Sequence, residues 1–176
     1  MLHSLSLLLI LVLKGLSTDK VPEVALEGIA SQSSVYDKYE NPGNAIDGSP
    51  SSDYLRGKCS HTDLDINPWW TLDLRARVQV FRVKITNRGN CCEEWLNGLK
   101  SKLGTRRREA AERISGNTLR WCATVESMEL GQTLSFDCHG MQGCYVTVTI
   151  PRRAEYLTVC EVQVKHSEHQ RQQQET

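Results

Sequence analysis

What this 176-residue chain lacks removes several classes of function. Neither sign of charge is in excess, with 21 Lys plus Arg against 21 Asp plus Glu, so no long-range field draws it to nucleic acid or an anionic membrane. No cysteines stand in a C-x-x-C pair, so the common zinc and redox spacings are missing. There is no Asn-x-Ser or Asn-x-Thr acceptor for a glycan, no glycine-rich phosphate loop and no nucleophile motif. The apolar run Leu5 to Leu13 is too short to cross a bilayer and no later segment is longer, so membrane insertion is not expected.

That run is followed by Lys14 and the small residues Gly15 and Ser17, the order of an export signal over residues 1–18 with cleavage near Ser17 or Thr18. Residues 19–166 then form one domain, and the polar, glutamine-rich residues 167–176 form a frayed tail. Seven cysteines, at 59, 91, 92, 122, 138, 144 and 160, fit an oxidising compartment, with three disulfides and one thiol left over. Cys91 and Cys92 are adjacent, just after a strand-like run and close to Arg88. Two readings are open: each pairs with a distant cysteine, or the two close a small ring that presents a rigid sulfur surface.

Strand signals dominate. A short strand is expected at Val24 to Leu26, then strands at Pro68 to Leu74 and Val78 to Thr86, rich in β-branched and aromatic residues. In the second, apolar residues fall at 78 and 80, then at 81, 83 and 85, a one-residue change of phase that predicts a bulge. Further strands are read at Leu119 to Val125, Leu134 to Phe136, Cys144 to Ile150 and Leu157 to Lys165. Between Asn97 and Asn117 the pattern is poor. Leu99 and Leu103 precede the basic run Arg106 to Arg113, read as a solvated loop that could hold one or two helical turns. Short strands between Gly, Pro and Asn turns call for an antiparallel β-sandwich or barrel.

Two loops carry candidate chemistry. Asn44 to Asp53 interleaves Asn and Asp with Gly and Ser, which offers oxygen ligands to a hard cation but also describes an Asx-turn connector. His61, Asp63 and Asp65 could serve a metal or an acid–base pair, although loop carboxylates at this spacing are usually solvated.

Several separated motifs carry a resemblance: Asn44 to Gly48, Asn67 to Trp70, Thr86 to Gly89 with Cys91 and Cys92, Tyr145 to Val148, and Tyr156 to Val162. Together they span about Val24 to Lys165, and in them the chain resembles the fucose-binding F-type lectins of the fish fucolectin kind. The resemblance implies an all-β fold, an eight-stranded antiparallel jelly-roll β-sandwich of discoidin-like type, with a sugar pocket in loops at one end and a structural Ca2+ nearby. It also implies the disulfides Cys59–Cys160, Cys91–Cys92 and Cys122–Cys138, with Cys144 as the odd thiol or an intermolecular link. The first closes a loop of about a hundred residues, worth about 4 to 5 kcal/mol of lost chain entropy in the unfolded state.

In that family the sugar site combines a histidine, an arginine 27 residues later, an acidic residue two further on and a second basic residue seven beyond the arginine. His61 and Arg88 keep the first spacing. Both are expected to donate to an axial hydroxyl of the sugar, with the sulfurs of Cys91 and Cys92 against one ring edge. Asn90 replaces the acid and Trp95 the second base. For Ca2+ the resemblance points to Asn44, Asp47, Ser49, Lys58, Cys160 and Glu161, partly through main-chain oxygens. Ser49 and Lys58 stand where asparagine and serine are usual. The resulting reading is a secreted, non-enzymatic, calcium-containing lectin for fucosylated glycans that acts in host defence by agglutination, through oligomers. A discoidin-like interaction module that has lost sugar binding is the alternative.

Overall fold

The computed structural model describes residues 25–105 and 120–166. The signal segment 1–18, the run Arg106 to Arg113 and the tail 167–176 lie outside the described residues. Ten strands follow in chain order: β1 Ile29–Gln32, β2 Ser60–His61, β3 Asp65–Ile66, β4 Trp69–Thr86, β5 Lys100–Gly104, β6 Arg120–Thr124, β7 Thr133–Thr149, β8 Ala154–Glu155, β9 Thr158–Val159 and β10 Glu161–His166. All their pairings are antiparallel. Among the described residues the only helical segments are short 3-10 turns. This is the antiparallel β-sandwich that the strand signals called for, with the length distributed unevenly: two long strands, β4 and β7, and four of two residues each.

The long pair is the spine. Residues Pro68 to Leu74 and Val78 to Thr86, read as separate strands, form the single 18-residue β4, with its pairing to β7 broken between Asp73 and Val78. Arg75 occupies the left-handed region there at φ 63°. The second irregularity falls at Phe81, skipped in the pairing with β7 and again in that with β10. The sequence marks this change of phase. Trp70, Leu72, Leu74, Val78 and Val80 are buried at even positions, Val83 and Ile85 at odd ones, and Phe81 is exposed. One inserted residue restores the apolar face to the core as the strand bends. β1 then pairs with the first half of β4, and β10 with the second.

Three expectations change. Of the strand expected at Val24 to Leu26, Val24 lies outside the described residues and the rest falls in a 3-10 turn at Ala25–Glu27, with the first described strand starting at Ile29. The signals at Leu134 to Phe136 and Cys144 to Ile150 belong to one strand, β7, with His139 at φ 51° and Gly140 at φ 68° between them. Leu103 lies in β5, which pairs with both β6 and β7, and Leu99 just precedes it. The few apolar residues of that segment hid a strand that neighbours on both sides stabilise.

Disulfides join Cys59 to Cys160, Cys91 to Cys92 and Cys122 to Cys138, the pairings that the resemblance implies. Cys144 is a half-buried free thiol, and burial raises its pKa, which reduces its thiolate fraction.

Candidate functional site

His61 ends β2, which pairs with β9 beside the Cys59–Cys160 bond. Its carbonyl accepts from the Tyr36 N–H at 3.1 Å and from Gln32 Nε2 at 2.9 Å, so the loop 33–40 is drawn over it. Arg88 lies just past the end of β4 in a segment clamped from two sides. Gly89 N–H donates to Ser52 O at 2.8 Å, Gly131 N–H to Arg88 O at 2.9 Å, and Asn87 Nδ2 to Glu129 O at 3.1 Å. A Cβ on Gly89 would meet Ser52 Oγ at 2.6 Å, so a larger residue here would require Ser52 to turn away. His61 and Arg88 are thus set on fixed backbone, and their residues are only 3% and 4% exposed.

They meet around Tyr54, which the sequence analysis did not single out. The Tyr54 hydroxyl donates to Glu40 Oε1 and lies 3.0 Å from His61 Nδ1. Its ring stands edge-on to the imidazole with centroids 5.4 Å apart, and the Arg88 guanidinium carbon lies 3.8 Å from its centroid, a cation–π contact. Burial, then the hydrogen bond from Tyr54 to Glu40, push the phenol pKa up, so it keeps its proton. A phenol has one proton to give, and it goes to Glu40. The contact with His61 is therefore Nδ1–H donating to the phenol oxygen, which leaves Nε2 as a bare acceptor. That atom is buried and has no hydrogen-bond partner among the described residues. The site thus presents the Arg88 guanidinium as a donor and His61 Nε2 as an acceptor. Burial, then the Arg88 charge, hold the His61 pKa down at about 4, so the ring is neutral at physiological pH. Burial also lowers the pKa of Arg88, which keeps its charge by the wide margin of a guanidinium.

The other predicted residues gather here too. Asn90 Oδ1 accepts from Arg88 Nε at 3.1 Å, so the amide orients the arginine from the position of the missing acid. Cys91 and Cys92 are half-buried, and Cys92, at φ 66°, leads into the 3-10 turn Glu93–Leu96. Arg153 Nη2 donates to Trp95 O at 2.9 Å and fixes that turn. The Trp95 indole stacks on Tyr156 at 4.8 Å between centroids and lies 5.6 Å from the His61 ring; Tyr36 stacks on His61 at 4.8 Å. A second cation is thus replaced by an aromatic wall. Tyr156 opens a motif already noted, but without a role, and Tyr36 and Glu40 carry no chemical signal of their own in the sequence.

The residues expected around Ca2+ come together by a different chemistry. Asn44 donates through Nδ2 to Tyr39 O at 2.8 Å and Cys59 O at 3.1 Å. Asp47 Oδ1 accepts from the Ser49 N–H at 2.8 Å, an Asx-turn, and Asp47 Oδ2 takes the Lys58 ammonium at 2.9 Å. Cys160 is bonded to Cys59 next to this turn, and Glu161 is buried at the start of β10. Both Asp47 oxygens are thus engaged by proton donors, and a fixed positive charge stands beside them. Asp47 is thus paired with proton donors in this packing, while Glu161 adds a second carboxylate, only 2% exposed, from the start of β10.

A sequence-family model described as a NedA-like, galactose-binding domain matches residues 44–148. A pentraxin fusion protein of Xenopus laevis is 47% identical over 141 residues, 80% of this chain and 33% of that protein. Fucolectin-6 of Anguilla japonica is 40% identical over 146 residues, 80% of this chain and 74% of that protein. The crystal structure of an F-lectin (fucolectin) from striped bass serum, Morone saxatilis, superposes with a TM-score of 0.75 at 38% identity, over 84% of this chain and 48% of that one. The chain therefore spans about a third of the pentraxin fusion protein and about half of the striped bass chain. On its identity to fucolectins over most of their length, the chain belongs to the F-type lectin family, whose members are non-enzymatic carbohydrate-binding proteins.

Proposed function

We propose that this chain is a lectin for terminal fucose on glycans, secreted, and used in host defence to agglutinate glycosylated surfaces. The observation that carries the reading is the pairing of a buried imidazole acceptor, His61 Nε2, with the buried guanidinium of Arg88 on one tyrosine. An axial sugar hydroxyl can give its proton to the first and accept from the second. The aromatic groups Trp95, Tyr156 and Tyr36 beside them suit the apolar face and methyl group of fucose. Similarity to proteins named fucolectin supports the choice of sugar.

Three disulfides favour an extracellular setting. Agglutination needs several sites at once, supplied here by oligomers. Glycan-array binding competed by free fucose tests the sugar assignment. A positive array with no competition by fucose would sink it. A second reading, a discoidin-like interaction module without sugar binding, is favoured by one observation. Trp95 stacks on Tyr156 where the family carries a second cation. Trp95→Arg separates the two, as set out below.

A further inference from the structure

We propose that Glu40 and Tyr54 are positioning residues that lock His61 in one tautomer, so the site selects a hydroxyl able both to donate to Nε2 and to accept from Arg88. This deepens the fucose reading and rests on it for the ligand, though not for the tautomer. The geometry carries the argument. Glu40 and His61 flank one phenol oxygen, and the carboxylate takes the single phenol proton. His61 Nδ1 also lies 3.6 Å from Glu40 Oε2, a second acceptor on the same side of the ring. The phenol oxygen as acceptor, with the carboxylate charge beyond it, holds the imidazole proton at Nδ1, so Nε2 keeps its lone pair.

The support extends outward. Glu40 is buried, its carbonyl accepts from Gln32 Nε2 at 3.2 Å, and Gln32 also holds the carbonyl of His61. One amide thus ties together the main chains that carry Glu40 and His61. Tyr54 adds the cation–π seat of Arg88, so a single side chain sets both the acceptor and the donor of the site. Its place in the 3-10 turn Tyr54–Arg56, closed by the Gly57 N–H on Tyr54 O at 2.9 Å, keeps the phenol in position.

The consequence is a demand on the ligand. A hydroxyl satisfies both partners at once; a fluorine in its place accepts from Arg88 but has no proton for Nε2, and an O-methyl group fails in the same way. Nitrogen-15 shifts of the imidazole in the whole, ligand-free protein should report His61 as the Nδ1–H tautomer. Tyr54→Phe keeps the ring beneath Arg88 and removes only the oxygen. It should release the tautomer to a mixture and weaken fucose binding by up to about tenfold, the loss of roughly one hydrogen bond. Fucose with fluorine at the axial position should bind the native protein about tenfold more weakly than fucose, and Tyr54→Phe should narrow that gap. Glu40→Gln should move the tautomer in the same direction.

Finding the native ring as Nε2–H, or unchanged in Tyr54→Phe, overturns the lock. A native protein that shows the Nδ1–H tautomer yet binds no fucose leaves the lock standing and sinks the sugar reading.

Discussion

Two loops of this protein depart from their family in opposite directions, and the comparison shows how the same fold can move charge about. At the sugar site a cation has gone: Trp95 stands where the resemblance calls for a base, and its indole completes a stack with Tyr156. At the Asp47 turn a cation has arrived: Lys58 stands where serine is usual, and its ammonium sits 2.9 Å from the carboxylate. The first change exchanges a strong directional donor for apolar area. The second places a lysine ammonium against the Asp47 carboxylate. Disulfides and main-chain hydrogen bonds hold both loops.

The sharpest way to break the comparison is to remove the one cation that the sugar site retains. Arg88→Ala should abolish measurable fucose binding, a loss of about a hundredfold or more for charged hydrogen bonds, with circular dichroism confirming the fold. Restoring the lost cation is the converse. Trp95→Arg should tighten fucose binding by about ten- to a hundredfold, less whatever the lost stack on Tyr156 contributed, as read by calorimetry. A folded, non-binding native protein that Trp95→Arg leaves unchanged would favour the interaction module.

The other loop is tested by removing its added charge. In the native protein, moving from chelator to millimolar calcium should shift the melting temperature by less than about 2 °C. Lys58→Ser should make it respond by several degrees, because a ligand bound only by the folded state stabilises it by mass action. A large calcium shift in the native protein would mean that Lys58 yields its place to the ion.

The smallest effect expected is with pH. The groups facing His61 are Glu40, Tyr54, Arg88 and Asp63. Its folded pKa of about 4 lies below the ordinary 6.5, so between these values the unfolded chain binds a proton that the folded chain does not. The contribution of His61 to stability is present above about 6.5 and is lost as pH falls toward 4. Fucose binding should stay flat from pH 8 to about 6 and decline as Nε2 gains its proton, which a titration by calorimetry will show. His61→Gln should remove that pH dependence.

Much of this was legible in the residues. Alternation in Val78 to Ile85 gave both a strand and its bulge, because period-two burial records which face meets the core and one inserted residue reverses it. The poor pattern at Leu99 to Leu103 misled for the complementary reason. β5 is held by strands on both sides, and its sequence need not advertise what its neighbours enforce. Cys91 and Cys92 were marked by adjacency, a property of the chain alone, and His61 with Arg88 only by the resemblance to the F-type lectins.

Glu40 and Tyr54 belong to the other category. Neither has a motif, and they matter only because the fold places one beside the other and both beside His61. Lys58 could be read as a missing serine, yet its engagement with Asp47 required the turn to close. The sequence by itself therefore determined the strands, the class of the fold and which residues could do chemistry, since these depend on side-chain type and local period. The tertiary structure alone decided which atom of His61 carries the proton and which cation neutralises Asp47. Protonation and ion pairing depend on distance and burial, and those exist only once segments far apart in the chain are packed together.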